Sequence, residues 1–178
     1  MIFALLLQAA AVPAATPAAP PVLAPWALRS STNPANGAVA TSSRTMARDG
    51  SSRLLVRCDK SAEAYFSIQF IATQQLAADD GKGNYPKKSV SMRFDGGPAI
   101  EFEWDSQGNA VYVADPASFT ALTIELAKAK VIEVSTTNVA NFGIVGTFDG
   151  PPSAAPISAV LAACGYTLGE VPMPAPAK

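Results

Sequence analysis

RLLVRCDKSAEAYFSIQFIA, residues 53–72, reads as two apolar strands joined by a short polar turn, and the fold is worked outward from it. Leu54, Leu55 and Val56 lead to Cys58 in the first strand. In the second, Phe66, Ile68 and Phe70 alternate with Tyr65, Ser67, Gln69 and Ile71. Successive side chains on a strand point to opposite faces, so the first set belongs to the core. The other cysteine of the chain, Cys164, lies far downstream, and a bond to Cys58 would fasten the last element onto this first hairpin.

Upstream, Trp26, Leu28 and Ser30 open a short strand, and STNPANG carries turn signals at Asn33-Pro34 and Asn36-Gly37. Residues 39–46, VATSSRTM, combine β-propensity with weak apolar alternation, as expected of an edge strand. Asp49-Gly50 supplies a tight hairpin turn. Downstream, the polar stretch 77–88, AADDGKGNYPKK, is a surface loop. Residues 90–105, VSMRFDGGPAIEFEWD, form the clearest hairpin of the chain, turning at Gly96-Gly97. Val90, Met92 and Phe94 face one way in its first strand, and Ile100, Phe102 and Trp104 in its second. Arg93, Glu101 and Glu103 fall on the opposite face, where charges on neighbouring strands can pair. AVYVA at 110–114 continues the sheet as a meander.

The period changes at Asp115-Pro116. Asp115 can cap a helix, Pro116 can occupy its first position, and Phe119, Leu122, Thr123 and Leu126 recur at helical spacing. Two further strands are expected at 130–136 and 141–148, joined at 137–140, followed by a helix over 153–163 with Ser153 as its cap. The fold class is therefore mostly β, an antiparallel β-sandwich-like meander with two short helices.

The ends read differently. Residues 1–15 are apolar and then alanine-rich, with small residues at Ala9 and Ala11, or Val12 and Ala14, suited to signal cleavage. The apolar run is shorter than the roughly 20 residues of a membrane-spanning helix, so no integral span is expected. Prolines 13, 17, 20 and 21 speak against a buried helix there, and no cysteine follows for lipid attachment. Residues 16–25 form a Pro/Ala-rich linker, 26–169 a single domain, and 170–178 a disordered tail. The protein is thus expected to be periplasmic or secreted, in an oxidising compartment. There a single pair of cysteines is most simply a Cys58–Cys164 disulfide, closing a loop of about 100 residues for roughly 4.7 kcal/mol in the chain-entropy model. A reactive thiol is the alternative, with Arg57 as its one basic neighbour.

Composition excludes several chemistries. The 178 residues carry 13 Lys+Arg, 14 Asp+Glu and no histidine, so no global field draws nucleic acid. Without histidine there is no Ser-His-Asp or Cys-His machinery, and transition metals lose their commonest ligand. Neither a metal nor another cofactor is called for. Glu101 and Glu103 leave a two-carboxylate mechanism formally open, although such a pair opposite an apolar face is more often solvated surface. Asp79, Asp80 and Asn84 around Gly81 lack the spacing of a calcium loop. Arg44, Arg48, Arg53, Arg57 and Lys60 form a basic cluster interrupted by Asp49 and Asp59, a plain solvated hairpin unless it meets an anionic partner.

One resemblance bears on function. The early Trp26, LLVRC, AYFSIQF, the segment SVSMRFDGGPAIEFEWDSQGNAVYV, the helix with Phe119 and Leu126, NFGIVGTF and the closing AVLAACG together resemble the periplasmic type VI secretion-associated proteins of the VasI/TagO type. The most specific piece is carried by Arg93, Phe94, Asp95, Gly96, Gly97, Trp104, Ser106, Gly108, Ala110 and Val113. Asn33-Pro34 departs from the acidic Asp-Pro more typical there, and the Pro/Ala-rich arms are additional. The resemblance implies an exported β-sandwich domain with no established catalytic residues. Function is accordingly expected to be that of a non-catalytic envelope binding or accessory module, not an enzyme, acting on an envelope protein partner. Its candidate binding loop comprises Asp79, Asp80, Lys82, Asn84, Tyr85, Lys87 and Lys88. The alternative is a carboxylate-dependent envelope hydrolase or a proteinaceous inhibitor of one.

Overall fold

The computed structural model describes residues 24–61, 64–78 and 86–172. The expected signal peptide lies outside the described residues, as do most of the linker, part of the tail, and Asp79–Tyr85 of the loop. Nine strands and two helices follow in the order β1 (Ala27–Thr32), β2 (Val39–Met46), β3 (Ser52–Lys60), β4 (Ala64–Ala72), β5 (Lys87–Phe94), β6 (Ile100–Gln107), β7 (Ala110–Val113), α1 (Pro116–Lys128), β8 (Val131–Thr137), β9 (Gly143–Asp149) and α2 (Ala155–Ala163). Among the described residues all nine strands join one antiparallel sheet, ordered β1-β2-β3-β4-β7-β6-β5-β8-β9.

The 53–72 hairpin is the β3–β4 pair. Its register sets Leu54 opposite Phe70, Val56 opposite Ile68 and Cys58 opposite Phe66, all buried. Because β9 returns to this hairpin, the layers of the domain are two parts of one coiled sheet. Arg48 N–H donates to the Thr147 carbonyl at 2.8 Å, and the Phe148 ring meets Phe70 edge-on with centroids 6.2 Å apart. Gly146 permits this approach, since a Cβ there would stand 2.5 Å from Ser52 Oγ and 2.8 Å from the Phe148 ring.

α1 has the predicted cap: Asp115 accepts from the Ser118 N–H at 2.9 Å, with Pro116 opening the helix. Its buried Phe119 packs on Phe66, centroids 4.4 Å apart. α2 lies against β1, β2 and β3, burying Ile157, Val160 and Leu161. The Cys58–Cys164 disulfide ties its end to β3 across a Cα separation of 5.9 Å.

Four local expectations are corrected. β2 is interior, between β1 and β3, because its inward side chains are small hydroxyls that are satisfied when buried. Ser43 donates to the Trp26 carbonyl at 2.7 Å, and Thr41 shares a hydrogen bond with Ser30. The sheet is also not a simple meander: β4 pairs with β7, and β5–β6–β7 fill in backwards, the long 73–86 connection carrying the chain past two strand positions. Arg93 pairs with Glu133 of β8 at 3.8 Å, since the β5–β6 register ends at Met92 and Ile100. Finally, Ala154 caps α2 without a side-chain bond, and Ser153 Oγ accepts from Ala155 N–H one position off the cap.

Candidate functional site

Two surface features emerge, both near the rim where connections leave the sheet. The first is the base of the 79–85 loop. Its two stems are held by the β6–β7 turn: the Gly108 carbonyl accepts from Leu76 and Ala77 N–H, and Ser106 donates to the Pro86 carbonyl through Oγ at 2.6 Å and N–H at 3.0 Å. Lys88 turns inward and donates to the Leu76 carbonyl at 2.6 Å, where burial pulls its pKa below 10.5. Lys87 pairs with Asp105 at 2.8 Å. Of the seven loop residues read from the sequence, these two are described, and both are engaged by the domain itself; the other five lie outside the described residues.

The β8–β9 turn is docked on the same stems. Asn138 donates to Gln74 Oε1 at 2.8 Å, and Val139 N–H donates to the Gln75 carbonyl. Asn138 Oδ1 meanwhile accepts from Ala140 and Phe142 N–H, both at 2.9 Å, and Asn141 adopts a left-handed φ of 62°. This scaffold holds Phe142 70% exposed, with Val139 and Val145 also open to solvent. The sequence reading placed a connection at 137–140 but put Phe142 inside the following strand, and so missed the exposed apolar surface here. Its signal was the pair Asn138 and Asn141 flanking apolar residues, a pattern suited to side-chain-capped turns that leave a hydrophobe outside.

The second feature is a recess of about 630 Å³ on the outward face of β1–β3, lined in part by Arg29, Arg44, Arg53, Met46 and Ile71. Structure sorts the basic cluster into engaged and open members. Arg48 pairs with Asp149 at 2.6 Å, and Arg57 holds Asp59 in a fork of two 2.7 Å bonds that raises the guanidinium pKa. Arg44 and Arg53 have no ion pair or side-chain hydrogen bond among the described residues, and Arg29 joins them from β1.

The motif with RFDGG proves architectural. Asp95 sits at φ 52° and its Oδ1 accepts from Lys130 and Val131 N–H, both at 2.8 Å, so it anchors the start of β8. Trp104 is buried, and Ser106 and Gly108 frame the loop stems. Glu101 and Glu103 stand exposed on the outer face of β6. Among the described residues no three His, Cys, Asp or Glu side chains gather to hold a metal ion, and no helix is long and apolar enough to cross a membrane. Both cysteines are consumed in the disulfide, so neither is a free thiol. Comparison with family models, curated proteins and solved structures finds no match to this chain.

Proposed function

We propose that the protein is a non-catalytic, exported accessory module that binds a protein of the cell envelope, in the role implied by its resemblance to type VI secretion-associated proteins. The contact surface is the β8–β9 turn together with the 79–88 segment, whose described stems it docks on. The observation that carries this reading is Phe142, held 70% exposed by a turn whose backbone is pinned through Asn138 to the loop stems. A large apolar side chain on a preorganised turn gains contact area on binding at little ordering cost, which is the property of an interface anchor. The disulfide supports an oxidising compartment, since such bonds persist outside the reducing cytosol.

The test is affinity capture from a crosslinked envelope fraction with three proteins: the wild type, Phe142→Ser, and a chain in which residues 79–85 are replaced by Gly/Ser. A defined partner band that is lost with both variants, while circular dichroism and the disulfide stay intact, is expected. Equal capture by all three proteins would remove this surface from consideration. Two free thiols in the exported protein, measured by non-reducing mass spectrometry, would contradict the compartment.

A further inference from the structure

We propose that the recess on the outward face of β1–β3 binds a phosphoester anion through Arg29, Arg44 and Arg53. The three arginines form a diagonal row. Arg29 lies opposite Ser42, two positions before Arg44 on β2; Arg44 lies opposite Leu55, two positions after Arg53 on β3. Diagonal neighbours in a sheet stand about 7–8 Å apart, within reach of long side chains converging on one ligand.

Among the described residues no carboxylate pairs with any of the three. Two described carboxylates close by already have partners: Asp149, which also lines the recess, takes Arg48, and Asp59 takes Arg57. Asp49, on the adjoining turn, accepts from Ser51 N–H and Oγ, which lowers its pKa. Arg29 Nε is moreover buried with no hydrogen-bond partner among the described residues. Three like charges on neighbouring positions repel one another, and a buried N–H without an acceptor is costly, so an anion seated here relieves both.

The chemistry of the donors selects the ligand. Guanidinium forks match the planar, bidentate oxygen arrays of phosphate and carboxylate. Three forks in one recess exceed what a single carboxylate can accept, whereas a phosphoester offers several acceptor oxygens and up to two charges. Met46 and Ile71 beside the row give an apolar wall for the remainder of the molecule. The phosphoester can belong to a soluble compound or to a lipid headgroup, and the experiment separates these sources.

The full chain is titrated calorimetrically with inorganic pyrophosphate, and separately sedimented with phosphatidylcholine vesicles with and without phosphatidic acid. Saturable binding is expected in at least one arm: pyrophosphate alone identifies a soluble source, phosphatidic acid vesicles alone a headgroup, and both the phosphate group itself. Arg44→Gln or Arg53→Gln should weaken binding about tenfold or more, as expected for losing charge-assisted hydrogen bonds. Arg93→Gln removes the same charge from a pair on β5–β8 and should change affinity less than about twofold. Thermal unfolding without ligand should leave Arg44→Gln at least as stable as the wild type, because one repelling charge is gone. Binding to neither probe, equal loss with Arg93→Gln, or marked destabilisation of Arg44→Gln would each overturn the assignment. The recess shares no residue with the protein-contact surface proposed above, so Phe142→Ser and Arg44→Gln report on the two independently.

Discussion

Breaking the Cys58–Cys164 bond should destabilise the domain by about 4.8 kcal/mol while leaving its sheet assembled. The bond closes a separation of 106 residues, nearly the whole span from β3 to the end of α2. In the chain-entropy model, releasing a loop of that length returns about 16 cal/mol/K to the unfolded chain, or about 4.8 kcal/mol at 25 °C. A domain of this size unfolds with roughly 5–15 kcal/mol, at roughly 2–4 °C of melting temperature per kcal/mol, so the midpoint should fall by roughly 10–20 °C. The native contacts of α2 do not depend on the bond: Ile157, Val160 and Leu161 remain buried against the sheet. Reduced protein should therefore fold at 25 °C, with α2 exchanging its amide hydrogens faster than β3 and β4. The measurement is urea unfolding followed by circular dichroism on oxidised and phosphine-reduced wild type, with Cys58→Ala/Cys164→Ala as a second comparison. Oxidised and reduced stabilities within about 1 kcal/mol of each other would refute the entropic reasoning and mean that the unfolded chain is already compact around these residues.

Two other outcomes are expected. Asp95→Ala should cost about 2–4 kcal/mol in urea unfolding, because it removes the acceptor of two N–H groups and places alanine at φ 52°; Asp95→Asn, which tolerates that φ and keeps an acceptor oxygen, should cost about half as much. Equal effects of the two substitutions would remove the backbone contribution. The lowered pKa of Lys88, caused by burial, means that the unfolded chain binds the proton more tightly, so this group's contribution to stability is present above pH 10.5 and lost as pH falls through its folded pKa. Stability of the wild type relative to Lys88→Met should accordingly rise with pH just below 10.5, and a flat difference would show that the ammonium is not desolvated.

Much of the fold was legible because burial on a sheet writes a period of two into the chain. The β3–β4 hairpin, the β5–β6 hairpin and both helices fell where their apolar spacing placed them. The misreadings share one cause. VATSSRTM looked like an edge because its inward Thr41, Ser43 and Thr45 are polar, yet hydroxyls bonded to Ser30 and Trp26 are satisfied in the interior. Nothing local marked β7 as the neighbour of β4, since a strand's pairing partner depends on which face it completes, and any strand of matching alternation is a candidate. The surface features were less legible still. Arginines 44, 48 and 53 look alike in sequence; only the position of Asp149 in space separates the paired Arg48 from the open two, whereas the partner of Arg57 stands two residues on along the same strand.

The elements, the core-facing side of the β3–β4 hairpin, the Asp115 cap and the joining of Cys58 to Cys164 were already present in the order of residues, because these depend on side-chain period, short-range hydrogen bonds and the count of thiols. Tertiary structure alone decided the strand order, the return of β9 onto the first hairpin, the exposure of Phe142 and the open row of Arg29, Arg44 and Arg53. Those properties belong to residues distant along the chain, and the free energies that set them are pairwise terms that come into being only when the coiled sheet brings the partners within a few ångströms.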